Sequence, residues 1–144
     1  MSGKIVVGYD GSAAGRRALD FALARAKAQD SSVLIAHVLE WSPYSFLTPD
    51  ELEERHVRRK EEMARAETAV IGPVLEKLKD SGVEITTVIK YGHIAEKLAE
   101  IAKDSGAIQL VVGRDGHGSL AARVFGSVAG TLVQIATVPT TIVP

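Results

Sequence analysis

The 144-residue chain contains no cysteine. That excludes a disulfide framework and any thiolate metal site. It has little excess charge: 17 Lys and Arg against 18 Asp and Glu leave a formal net charge of −1, so nothing pulls the whole molecule toward nucleic acid or anionic lipid. No apolar run approaches the length of a membrane span. The start, MSGKIVVGYDG, has neither a long apolar segment nor a cleavage-like site, so no signal peptide is expected. The four histidines, His37, His56, His93 and His117, lack any i, i+4 or finger-like spacing, which argues against zinc. Internal repeats and low-complexity linkers are missing too. The expectation is one soluble cytoplasmic domain over residues 1–144, long enough to bury a core without staples.

What is present is alternation. Short β-branched runs at residues 4–9, 32–40, 83–90, 107–112 and 140–143 predict five strands. Between them lie helical patterns. Ser12 is a natural N-cap for a helix over 13–28, whose inward face is Leu19, Ala22, Leu23 and Ala26. A charged stretch at 50–80 turns Val70, Ile71, Val74, Leu75 and Leu78 inward. Gly72-Pro73 should kink or break it. Along this stretch, i, i+4 pairs such as Glu54 with Arg58 point to a solvated face. After Gly92 a helix presents Ile94, Ala95, Leu98, Ile101 and Ala102. A last helix over 127–136 presents Val128, Leu132 and Ile135. Strands alternating with helices imply right-handed crossovers and a parallel α/β sheet covered on both faces. In such sheets ligands sit beyond the carboxyl ends of the strands, where the winding reverses. Strand one ends at Asp10 and strand four at Gly113, so these two turns are expected to face each other.

The stretch after strand four, LVVGRDGHGSLAARVFGSVA, is the most informative. Strand-to-helix connections usually run about 2–6 residues, and this one spans 113–125. Its glycines let several backbone N–H groups converge, and the helix that follows adds unpaired N–H groups and its dipole. Together they make an anion site, with a phosphate chain as the natural ligand. It is not a P-loop, because G-x-x-x-x-G-K-[ST] occurs nowhere and no lysine clamps a terminal phosphate. Gly116-x-Gly118-x-x-Ala121 only grazes the dinucleotide fingerprint and lacks the acidic residue that would take a ribose.

The spacing Gly113-x2-Gly116-x9-Gly126-Ser127 resembles the G-x2-G-x9-G-[S/T] signature of the universal stress protein family. GYDGS after strand one, AHVLE at strand two, YGHIAEKLAEIA and VPTTIVP fit the same resemblance, which covers the whole chain. It implies an open, doubly wound, Rossmann-like sheet of five parallel strands in the order 3-2-1-4-5, of the adenine nucleotide alpha hydrolase-like kind, that binds ATP. Carried across, Asp10 meets the ribose or adenine edge with Tyr9 beside it, and Val38 contacts adenine through its backbone. Val112 and Gly113 line the ribose, and Gly116 offers N–H to the phosphates. Gly126, Ser127, Val128 and Ala129 bind phosphate at the helix start. The resemblance also implies a homodimer through the fifth strand, an edge of the kind that invites pairing.

One residue departs from the pattern. Where family members often carry His or Arg before the second glycine, this chain has Asp115. A carboxylate there repels a triphosphate by about a kcal/mol or more. Either Asp115 points to solvent while Arg114 or His117 supplies positive charge, or it helps hold Mg2+ or Mn2+, or the site prefers AMP. The first is the expectation. His117 reads as a phosphate contact or exposed residue rather than a proton shuttle, and His37 as a hydrogen-bonded core histidine. Arg123 reaches a phosphate or lies on a helix surface. Trp41, Tyr44 and Phe46 lid the pocket or close the core edge. With no base–nucleophile pair visible, the expected function is an ATP-binding stress-response sensor or switch with an unspecified protein partner and at most slow hydrolysis. The competitors are an ATPase or nucleotide hydrolase, an AMP- or cyclic-nucleotide-binding regulator, and a protein-interaction module with an empty site.

Overall fold

β-Branched residues form the strands because their restricted side chains suit a pleated surface. The computed structural model describes residues 3–40, 48–114 and 127–144. Its strands are β1 (Lys4–Gly8), β2 (Ser32–Glu40), β3 (Ile85–Gly92), β4 (Gln109–Gly113) and β5 (Thr140–Val143). They form one sheet in the order β3-β2-β1-β4-β5, and every pair is parallel. The order puts β1 at the centre, where Gly8 pairs with Ala36 of β2 and Val7 with Val111 of β4.

Alternation along the strands builds two cores. Ile5, Val7, Val33, Ile35 and Val111 share one with Ala18, Leu19, Ala22 and Ala26 of α1 (Ala13–Gln29). Val6, Leu34, Ala36, Leu110 and Val112 share the other with Leu98 and Ala102 of α4 (Ile94–Asp104) and Leu132 of α5 (Ser127–Ile135). Each fully buried leucine or isoleucine contributes about 1.5–3 kcal/mol. The Ser12 cap forms as expected: its Oγ accepts from the Gly15 N–H at 3.0 Å.

Between β2 and β3 runs α2 (Pro49–Ala66), then a π-helical turn (Glu67–Ile71), then α3 (Gly72–Leu78). The interruption expected at Gly72-Pro73 is this widened turn. Pro73 has no N–H to donate, and the Gly72 N–H just before it reaches back to the Glu67 carbonyl. Ile71 and Val74 are buried as expected, with Val70, Leu75 and Leu78 at the margin of the core. The Glu54–Arg58 pair is present at 3.8 Å, but both side chains are exposed, so it contributes little.

Three expectations shift. β3 starts at Ile85 because Ser81 Oγ accepts from the Val83 N–H at 3.2 Å and holds that residue in the turn. β4 starts at Gln109 and extends to Gly113, leaving Ile108 half exposed before it. Ile135 does not face inward. The inner stripe of α5 is rotated toward Ala129, Leu132 and Ala136, which exposes Ile135 and Val133.

At the end of β3, the Tyr91 hydroxyl donates to Glu62 Oε2 of α2 at 3.1 Å, and the Arg59 guanidinium lies 4.4 Å from the ring centroid. Desolvation first, then the Glu62 carboxylate, raises the Tyr91 pKa above 10.0, against smaller opposing effects of Arg59 and Arg55. A folded-state pKa above the unfolded value means stability that is whole below pH 10 and lost as pH rises through the folded value. Tyr91→Phe should therefore flatten the alkaline decline in melting temperature above pH 10 while changing the neutral value little.

Candidate functional site

The carboxyl ends of β2, β1 and β4 lie side by side, and the chain leaves β1 and β4 toward opposite layers. Beyond them opens a cavity of about 410 Å³, within the usual range for small-molecule sites. β1 and the turn after it contribute Gly8, Tyr9 and Asp10. From β2 come Ala36, His37, Val38, Leu39 and Glu40. β4 and its following residue supply Val112, Gly113 and Arg114. Ile94 and Leu98 of α4 close one wall, and Ser127, Val128 and Ala129 open α5 at the far end.

Local chemistry fixes several of these groups. Asp10 Oδ1 accepts from the Ser12 N–H at 2.9 Å and from the Ser12 hydroxyl. Ser12 in turn caps α1, so the carboxylate is tied to the helix that follows it. A carboxylate has about four lone-pair sites, so these bonds are compatible with accepting from ligand hydroxyls as well. A side chain at Gly15 would put Cβ 2.8 Å from Asp10 Oδ1. The Tyr9 N–H donates to the Ala36 carbonyl at 2.9 Å, and the Tyr9 carbonyl lies 2.7 Å from His37 Nδ1. A carbonyl can only accept, so Nδ1 carries the proton. Tyr9 and His37 are both buried, which fits the hydrogen-bonded core histidine expected from the sequence.

Charge is distributed unevenly. Asp10 and Glu40 stand on the β1–β2 side, while Arg114 and the first turn of α5 stand on the β4 side. The positive pole of the helix and the guanidinium suit an anion there. Apolar walls from Val38, Ile94 and Leu98 suit a flat hydrophobic group on the other side. Adjacent strands are about 4.8 Å apart, so β2 to β4 spans roughly 10 Å, about the extent of a nucleoside with its first phosphate.

Tyr9, Asp10, Val38, Val112, Gly113, Arg114, Ser127, Val128 and Ala129, each singled out in the sequence, all line this one cavity. Asp115, Gly116, His117, Arg123, Gly126, Trp41, Tyr44 and Phe46 lie outside the described residues. Among the described residues, no group of three His, Asp or Glu is placed to hold a metal ion, so the metal reading rests on Asp115. The sequence reading missed Gly8, Gly15, Ala36, His37, Leu39, Glu40, Ile94 and Leu98 as lining residues. A signal existed: parallel pairing of 36–40 beside the end of β1, and a helix starting just after β3, both lead to this rim.

The universal stress protein family model matches residues 1–144. A universal stress protein of Bacillus subtilis, YxiE, is 31% identical over 99% of each chain. In structure, UspA from Lactobacillus plantarum superposes with a TM-score of 0.83 at 22% identity, over 99% of this chain and 97% of its own. A universal stress protein solved in complex with cAMP superposes with a TM-score of 0.68 at 27% identity, over 99% of this chain and 97% of its own. The chain belongs to the universal stress protein family. Its fold is the open doubly wound five-stranded sheet of that class. No described helix is long and apolar enough to cross a membrane.

Proposed function

We propose that this chain binds an adenine nucleotide, with ATP as the leading ligand, and works as a cytoplasmic stress-response switch with at most slow hydrolysis. The observation that carries the reading is the cavity over β2, β1 and β4, apolar at one end and bounded by a helix N-terminus and Arg114 at the other. In this reading the base lies along Val38, Ile94 and Leu98, the ribose meets Asp10 beside Tyr9, and Val112 and Gly113 line the sugar. The phosphates run toward Arg114 and the Ser127–Ala129 turn, joined by Gly116, His117 and Gly126 of the loop. A universal stress protein 27% identical to this chain was solved in complex with cAMP, which supports an adenine nucleotide as the ligand. Asp115 points to solvent in this reading, and Arg114 with His117 supplies the positive charge; Mg2+ or Mn2+ held with the help of Asp115 is the alternative for a triphosphate.

A homodimer through β5 is part of the proposal. Among the described residues β5 pairs with β4 on one side only, and Val133 and Ile135 of α5 are exposed, 66% and 39% respectively. Such an edge with apolar neighbours favours a partner strand, here from a second copy, and a regulated protein would dock on the assembled pair.

A thermal-shift series with ATP, AMP and cAMP, with and without Mg2+, tests the nucleotide. ATP at a hundred times its Kd stabilises by about 2.7 kcal/mol, a rise in melting temperature of several degrees. Gly126→Val should abolish that rise while leaving the ligand-free value in place. No rise with any nucleotide would favour an interaction module, and rapid single-turnover phosphate release would favour an ATPase. Sedimentation at twice the chain mass is expected for the dimer.

A further inference from the structure

The hydrogen bonds of β2 show which way its backbone groups point. The Ser32 N–H donates to Gly3 on the β1 side and the Val33 N–H to Glu84 on the β3 side, both at 2.9 Å. A residue in a strand aims its N–H and C=O to the same side, and the side alternates. Even-numbered residues of β2 therefore face β1, as the Ala36 carbonyl does in accepting from Tyr9. By the register Gly8↔Ala36, the next rung would run from the Val38 N–H to the Tyr9 carbonyl. That rung does not form: among the described residues, the Tyr9 carbonyl is met by His37 Nδ1 at 2.7 Å instead.

We infer that His37 is a positioning residue that ends the β1–β2 ladder one rung early. It thereby keeps the Val38 N–H and C=O facing the cavity as a paired donor and acceptor for the edge of a base. The pairing of the Tyr9 carbonyl alone does not call for an imidazole, because the Val38 N–H stands next in register and would serve. A buried histidine in an apolar strand costs desolvation of its ring nitrogens. That cost is offset where the ring holds an acceptor that backbone would otherwise take. Tyr9, His37 and Val38 all line the cavity, so the released groups open onto it and not into the core. An adenine edge matches them: its 6-amino group donates and its N1 accepts. This ligand assignment rests on the nucleotide reading above, whereas the ladder ending does not.

Amide hydrogen exchange in the ligand-free protein tests the ladder directly. The Val38 amide should exchange at least about tenfold faster than the laddered Ala36 amide. His37→Phe keeps a ring but removes the donor, so the Val38 N–H should pair with Tyr9 and become protected. His37→Asn places an N–H donor at the same bond distance from the backbone as Nδ1, and should restore fast exchange. A Val38 amide already protected in the natural chain, or one that exchanges alike in His37→Phe, overturns the inference. If His37→Phe fails to fold, the comparison of Val38 with Ala36 in the natural chain decides alone. In binding, His37→Phe should weaken ATP about tenfold. It should also bring its affinity close to that of ITP, whose 6-carbonyl and N1–H reverse the donor–acceptor order. His37→Asn should recover the preference for ATP. If the natural chain binds no nucleotide, the proposed function fails, and the exchange data still settle the part His37 plays.

Discussion

Leu132→Ala should lower stability by about 2–5 kcal/mol and weaken nucleotide binding at the same time. Leu132 is fully buried in the cluster that joins Val6, Leu98, Leu110 and Val112. It is the largest side chain that α5 buries. Ala129 is also buried but small, and Val133 and Ile135 are exposed. Truncation leaves a cavity under a helix of nine residues that has little else to anchor it. Ser127, Val128 and Ala129 at its start line the candidate phosphate end, so loosening α5 spreads the N–H groups meant to converge on an anion. A denaturant melt should show the stability loss. Titration should show ATP weakened more than adenosine, because in the proposed pose only the phosphates meet α5. Equal loss for both ligands would place the phosphates elsewhere.

Gly113→Ala should cost about 1–3 kcal/mol, although it adds a single methyl group. An added Cβ would lie 3.0 Å from the backbone carbon, the oxygen and the Cβ of Ala14 in the first turn of α1. Backbone atoms cannot swing aside, so either α1 or the end of β4 must move. Arg114 directly follows β4 and its N–H donates to the Val143 carbonyl at 2.8 Å, while Ser12, which caps α1, ties down Asp10. The strain therefore reaches both sides of the cavity, and ATP binding should fall along with melting temperature. Gly8→Ala is the contrast: its Cβ meets first the terminal methyl of Leu98 at 2.9 Å, which can rotate. It should cost less stability than Gly113→Ala. The reverse ranking would mean that α1 is not held where β4 meets it.

Gly113 shows how far the residues alone could be read. Its place in the spaced glycine signature marked it as a site residue. The signature says nothing of Ala14, because the contact between β4 and α1 joins positions about a hundred apart in the chain. Asp10 is similar. Its position after β1 placed it in the cavity, but its bonds to Ser12 appear only when the turn is built. Pro73 announced an interruption, yet a missing N–H can produce a kink, a break or a π-turn, and packing of Ile71 and Val74 selects among them. The outward turn of Ile135 has the same origin. Helical periodicity defines an apolar stripe to within tens of degrees, and the position of α4 and the sheet decides which edge of it is covered.

The residues by themselves determined the alternation of strands and helices, the parallel sheet, the Ser12 cap and the positions from Tyr9 to Ala129 that gather at one rim. Those features follow from local periodicity, capping chemistry and chain punctuation, which act over a few residues. Tertiary structure alone decided that α1 needs a glycine at the end of β4, that α5 hangs chiefly on Leu132, and that the His37 ring takes the Tyr9 carbonyl ahead of the Val38 N–H. Each depends on which distant groups compete for the same space or the same acceptor, and that competition exists only once β2, β1 and β4 lie side by side.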